Sequence, residues 1–111
     1  MELMLIILNK EEYLETILSA LAELEVTDAV IQDGEKLGSY LAHEVPIFAG
    51  LRKLMGEKRI ACKTIISLID QKDFLDSFEK LLAEENIDFV KEDIGSIAIL
   101  PVTKIIGSAG W

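Results

Sequence analysis

Asn9-Lys10-Glu11-Glu12-Tyr13-Leu14 returns 61 residues later as Asp70-Gln71-Lys72-Asp73-Phe74-Leu75, and this half-repeat decides the fold. The match continues downstream: Ile17 corresponds to Phe78, Leu21 to Leu82 and Val26 to Ile87. Upstream of the first copy, Leu3 to Leu8 is an unbroken apolar run, too short for a helix and suited to a buried strand. Upstream of the second, Ile60 to Ile69 is rich in β-branched residues and reads the same way. Each half is therefore expected to run strand, helix, strand.

In the first half, Asn9 is placed to cap a helix, with Glu12 three residues on reaching back. Tyr13, Leu14, Ile17, Leu18, Leu21 and Leu24 recur at helical spacing and define its buried face. Val26 to Gln32 reads as the returning strand, closed by Asp33-Gly34. In the second half, Asp70 is the expected cap, and Phe74, Leu75, Phe78, Leu81 and Leu82 form the buried stripe. Asn86 marks the helix end, and Gly95 to Leu100 forms the last strand before Pro101, which cannot donate to a ladder.

The sum is an α+β, ferredoxin-like βαββαβ domain: an antiparallel four-stranded sheet with two helices on one face. Right-handed crossovers place the long strand of each half at the centre. The first strand is apolar on both sides, with Leu3, Leu5 and Ile7 opposite Met4, Ile6 and Leu8. Only one set can meet the helices, so the other face predicts association between subunits.

Residues 33–59 join the halves and are too long for a hairpin loop. Pro46 suits the first turn of a helix, Ile47, Phe48, Leu51, Leu54 and Met55 follow at helical spacing, and Gly56 can end it. A partly helical insertion at one end of a sheet is suited to recognition, or to covering a sheet edge or subunit seam. Residues 103–111 form a C-terminal tail on a single domain spanning 1–111.

Composition narrows the functions. The chain has 11 basic and 20 acidic residues, a net charge of −9, which argues against general nucleic-acid or anionic-membrane binding. Residues 33–63 are the exception, with six basic groups against four acidic ones. Hydrophobic residues make up 50% and the mean hydropathy is +0.33, high for a charged chain and consistent with apolar surface shared between subunits. No apolar stretch approaches the roughly 20 residues that span a bilayer. A secretion signal is not evident and the single Cys62 suits a reducing compartment, so the cytoplasm is the expected location. Catalysis finds little support: His43 and Cys62 stand at no dyad spacing, and His43-Glu44 could supply two metal ligands at a subunit interface but nothing completes the set.

The strand Leu5-Ile6-Ile7-Leu8, the helix from Asn9, the Gly34 to Gly38 turn and the closing Gly95-Ser96-Ile97-Ala98-Ile99-Leu100-Pro101-Val102 resemble the nitrogen regulatory protein P-II family. The likeness extends over nearly the whole chain. It is greatest to a divergent P-II-like branch, through Pro46-Ile47-Phe48-Ala49-Gly50-Leu51-Arg52. The resemblance implies a homotrimer with sheets facing inward, adenine-nucleotide and 2-oxoglutarate sensing at inter-subunit clefts, and a long T-loop that regulates a membrane transporter or enzyme. It carries ligand contact onto Gly38, Lys58, Gly95 and Ser96, and partner contact onto Pro46, Ile47, Phe48, Leu51 and Arg52. The family's phosphate loop reads Thr-Gly-x-x-Gly-Asp-Gly-Lys. Here the matching stretch, Phe89 to Ser96, has one glycine and adds Glu92 and Asp93, with Ser96 in place of the lysine. Those departures argue against ordinary ATP binding. An ACT-like small-molecule module and a CutA-like structural trimer use the same βαββαβ unit. The first would favour a dimer, the second a strand in the central segment.

Overall fold

The computed structural model describes residues 1–50, 54 and 61–108. Its strands are β1 (Glu2–Leu8), β2 (Val30–Glu35), β3 (Ala61–Ile69) and β4 (Gly95–Pro101). Its helices are α1 (Leu14–Glu23), α2 (Leu37–Glu44) and α3 (Phe74–Glu84), with 3-10 turns at Glu11–Tyr13 and Pro46–Phe48. The strands form one antiparallel sheet in the order β2-β3-β1-β4, so the fold is ferredoxin-like, with β1 and β3 central as expected.

The sheet has two unlike faces because β1 alternates. Met4, Ile6 and Leu8 are fully buried, and with Ile65 and Ile69 of β3 they meet Ile17, Leu21, Phe74, Phe78 and Leu82 from α1 and α3. Phe74 and Phe78 stack at a centroid separation of 5.5 Å. Leu3, Leu5 and Ile7 point the other way and are only half-buried. Register places Leu5 between Ile66 and Ala98, and Leu3 between Leu68 and Leu100, while Val30 lies beyond Ile66. This is a continuous apolar surface on the side of the sheet away from α1 and α3. Leu75, expected in the α3 stripe, is instead 37% exposed.

The half-repeat persists in backbone detail. Val26 N–H donates to Leu21 O and Glu25 N–H to Ala22 O; 61 residues on, Ile87 N–H donates to Leu82 O and Asn86 N–H to Ala83 O. Glu25 (φ 65°) and Asn86 (φ 58°) are both left-handed. Both helices thus end in one Schellman motif, which satisfies their last carbonyls.

The helix starts depart from expectation. Neither Asn9 nor Asp70 caps: the flanking residues are Lys10 for the first 3-10 turn and Asp73 for α3, without side-chain capping bonds. Asn9 instead extends the sheet, its N–H donating to Ile94 O at 2.7 Å. After Asp70 the chain turns first, and the Gln71 side chain donates to Leu24 O at 2.7 Å, tying the α3 entry to the α1 exit.

The second strand starts later and ends later than Val26 to Gln32. Asp33 and Gly34 do not end it but pair with Lys63 and Cys62. A Cβ at Gly34 would lie 3.1 Å from Cys62 Sγ, so the glycine lets two strands approach closely. The expected Gly34 to Gly38 turn is absent, because β2 runs to Glu35 and α2 begins at Leu37, with Gly38 in its first turn. Pro46 opens a 3-10 turn that closes at Phe48. The expected continuation through Leu51, Met55 and Gly56 falls outside the described residues. Pro101 is included in β4, which an edge strand tolerates.

Candidate functional site

Two regions at one end of the sheet hold the expected ligand-contact residues that are described, Gly38, Gly95 and Ser96. Leu8 pairs with both Lys63 and Gly95, and Asp33 pairs with Lys63, so the end of β2 and the start of β4 share that end. They lie on opposite edges, however. Three inter-strand spacings of about 4.8 Å separate them by roughly 14 Å. Gly95 and Ser96 are therefore adjacent, whereas Gly38 belongs to the far edge. Lys58, Leu51 and Arg52 lie outside the described residues.

The β4 side holds the wider, more open depression. A groove of ≈ 880 Å³ runs between the end of α3, the 86–92 turn and β4. Gly95 and Ser96 line it with Leu82, Ile87, Phe89 and Ile97. Gly95 has a packing role here: a Cβ on it would stand 1.9 Å from Ile7 O. Only glycine fits where the start of β4 crosses the end of β1.

The turn before β4 is arranged around Asp88. Its Oδ1 accepts the N–H of Val90 (2.9 Å) and of Lys91 (3.1 Å), and its carbonyl accepts the N–H of Glu92 at 3.1 Å. Consecutive N–H groups converging on one point resemble the cradles that bind phosphate. Here an internal carboxylate already takes two of these donors and a carbonyl the third. Glu92 and Asp93 add negative charge beside it. The turn's own carboxylate thus occupies two of its donors, which the sequence reading did not anticipate. An Asp two and three residues before its backbone donors is a signal that sequence reading could have used.

On the β2 edge, Lys63 Nζ bonds Asp33 Oδ1 and lies 3.5 Å from Glu11 Oε1. The hydrogen bond to Asp33 raises the Lys63 pKa above the usual lysine range; Coulomb attraction from Asp33 and Glu11 adds to it, and partial desolvation opposes it. This cluster pins the edge strand β2 and the α1 entry to β3. Beyond it, α2 buries Ser39 and Ala42. Nδ1–H of His43 donates to Ser39 O (2.9 Å), and Ser39 Oγ donates to Glu35 Oε2 (3.5 Å). His43 thus sits in the last turn of a helix and not in a loop. Sequence reading missed α2 because Gly38 looked like turn chemistry, although Leu37, Tyr40, Leu41 and Glu44 are helix-spaced.

The expected partner-contact residues that are described stand outward. Ile47 is 83% exposed and Phe48 41%, and Leu37 and Tyr40 of α2 are also exposed. Among the described residues no group of three or more His, Cys, Asp or Glu side chains could hold a metal ion, and no helix is long and apolar enough to cross a membrane.

These features define the class: a ferredoxin-like domain with a second apolar sheet face opposite α1 and α3, a helical excursion after β2 and a groove at the β4 edge. The chain matches no model of a known protein family and no curated protein.

Proposed function

We propose that the chain is a P-II-like signal-transduction protein acting in the cytoplasm. In this reading it is a homotrimer that senses a small metabolite or nucleotide at clefts between subunits. It regulates a partner protein, a membrane transporter or an enzyme, through the segment between β2 and β3, and it is not a catalyst.

The observation that carries the reading is the second apolar sheet face of Leu3, Leu5, Ile66, Leu68, Val30 and Leu100, which association of sheets would remove from water. The separation of Gly38 from Gly95 supports a cleft between copies, since one copy does not bring them together. The helical course of residues 37–44 favours this reading over a CutA-like trimer, for which a strand is expected there. The committed N–H groups of the 88–92 turn favour a smaller anion, or protein contact alone, over a triphosphate.

Sedimentation equilibrium, followed by calorimetric titration with ATP, ADP and AMP in the presence of magnesium and 2-oxoglutarate, tests both parts. A trimer with weak or absent ATP binding is expected. A monomer overturns the assembly, and tight ATP binding overturns the account of the cleft.

A further inference from the structure

The hydrogen-bonding direction of each β4 residue follows from two bonds at its ends. Asn9 N–H donates to Ile94 O at one end, and Val102 N–H donates to Met1 O at the other. In an antiparallel pair the residues that exchange hydrogen bonds alternate. Ser96, Ala98 and Leu100 therefore direct their N–H and C=O groups at β1, opposite Ile7, Leu5 and Leu3. Gly95, Ile97 and Ile99 direct theirs away from the sheet, and β4 is an edge strand.

Edges of this kind are usually blunted by charge, a bulge, proline or a covering segment. Residues 95–100 carry no charge, pair without interruption, and have only Pro101 at the far end. The groove described above lies directly beside this edge. A strand added to β4 would place alternate side chains into it, against Leu82, Ile87 and Phe89. Its rim carries Glu79, Asp88 and Glu92 against a single Lys91.

We propose that the β4 edge is a strand-addition site for an extended, basic segment of a partner protein, with apolar and Lys or Arg side chains alternating. Backbone pairing with Gly95, Ile97 and Ile99 supplies the affinity, the groove takes the apolar side chains, and the acidic rim selects a cationic segment. A second copy is the poorer occupant: it brings the same acidic rim and a net charge of −9 of its own. The site shares Gly95 with the cleft proposed above but does not rest on that reading, because peptide binding is read at Ile97 and Ile99 and the assembly is read by sedimentation.

The test is amide hydrogen exchange by NMR on dilute, isotope-labelled protein, with and without an acetylated heptapeptide of alternating lysine and valine. In the free protein Ile97 and Ile99 amides are expected to exchange quickly and Ala98 and Leu100 slowly. The peptide should slow exchange at Ile97 and Ile99. Ile99→Pro removes an outward N–H and no bond to β1, so it should keep the fold and abolish binding. Glu92→Lys should weaken binding roughly two- to fivefold, as expected for one exposed charge pair. Slow exchange at Ile97 and Ile99 in the free protein, rising with its concentration, would assign the edge to a second copy and overturn the proposal. Equal binding of a glutamate–valine peptide, or unchanged binding by Ile99→Pro, would overturn it as well.

Discussion

Gly95 lies so close to Ile7 that a Cβ on it would stand 1.9 Å from the Ile7 carbonyl oxygen. The contact sits where Asn9 N–H meets Ile94 O, so the start of β4 is fixed by its closeness to the end of β1. Gly95→Ala must push the two backbones apart and is expected to cost about 2–4 kcal/mol. Denaturant unfolding measures it; a loss below about 1 kcal/mol would show that the crossing relaxes freely.

Glu25 occupies the left-handed position that ends α1, at φ 65°. Glycine meets no Cβ penalty there, but it loses more backbone entropy on folding. The net expectation for Glu25→Gly is a gain of about 0.5–1 kcal/mol, seen as a higher melting temperature. The same exchange at Asn86 should gain less, because Asn tolerates this conformation better than Glu.

Lys63 links β3 to Asp33 and Glu11 through a pKa raised in the folded state. A raised lysine pKa stabilises the fold while pH is below the unfolded value, and the contribution fades as pH climbs through the folded one. Lys63→Met should therefore differ from the parent in denaturant midpoint at pH 8. The difference should close only above the ordinary lysine range. A gap that closes near neutrality would assign the pH dependence to another group.

Asp88 holds the N–H groups of Val90 and Lys91. Asp88→Ala should speed hydrogen exchange at both amides and cost about 1 kcal/mol. It should also let inorganic phosphate shift those amide resonances, which it should not do in the parent. Phosphate shifts of equal size in both proteins would mean that the carboxylate does not block the turn.

Leu5 stands at the centre of the second apolar sheet face, between Ile66 and Ala98, while its neighbours Met4 and Ile6 are in the core. Leu5→Lys should leave the circular dichroism spectrum intact and shift the sedimentation velocity to that of a monomer. An unchanged mass would place the subunit contact elsewhere.

Much of this was legible in the residues. The repeat pairs Ile17 and Phe78, and Leu21 and Leu82, are all core residues in matching places. The alternation of β1 identified the two faces, since side-chain direction in a strand is set by local geometry alone. The second strand was not legible. Asp33-Gly34 has turn composition, and only pairing with Lys63 and Cys62, about thirty residues on, holds it extended. The caps at Asn9 and Asp70 do not form, and the neighbouring contacts, Asn9 N–H to Ile94 O and the Gln71 side chain to Leu24 O, are with atoms far away in the chain.

The sequence by itself determined the order of elements, the apolar stripe of each helix and the strand with two apolar sides, because periodicity is a local property of the backbone. Tertiary structure decided where strands end, why position 95 must be glycine, and that Asp88 takes the N–H groups of its own turn. It also decided which β4 amides face outward, because that depends on the register with β1. Each of these is a matter of which distant atoms come within hydrogen-bonding or van der Waals distance, and no local pattern encodes it.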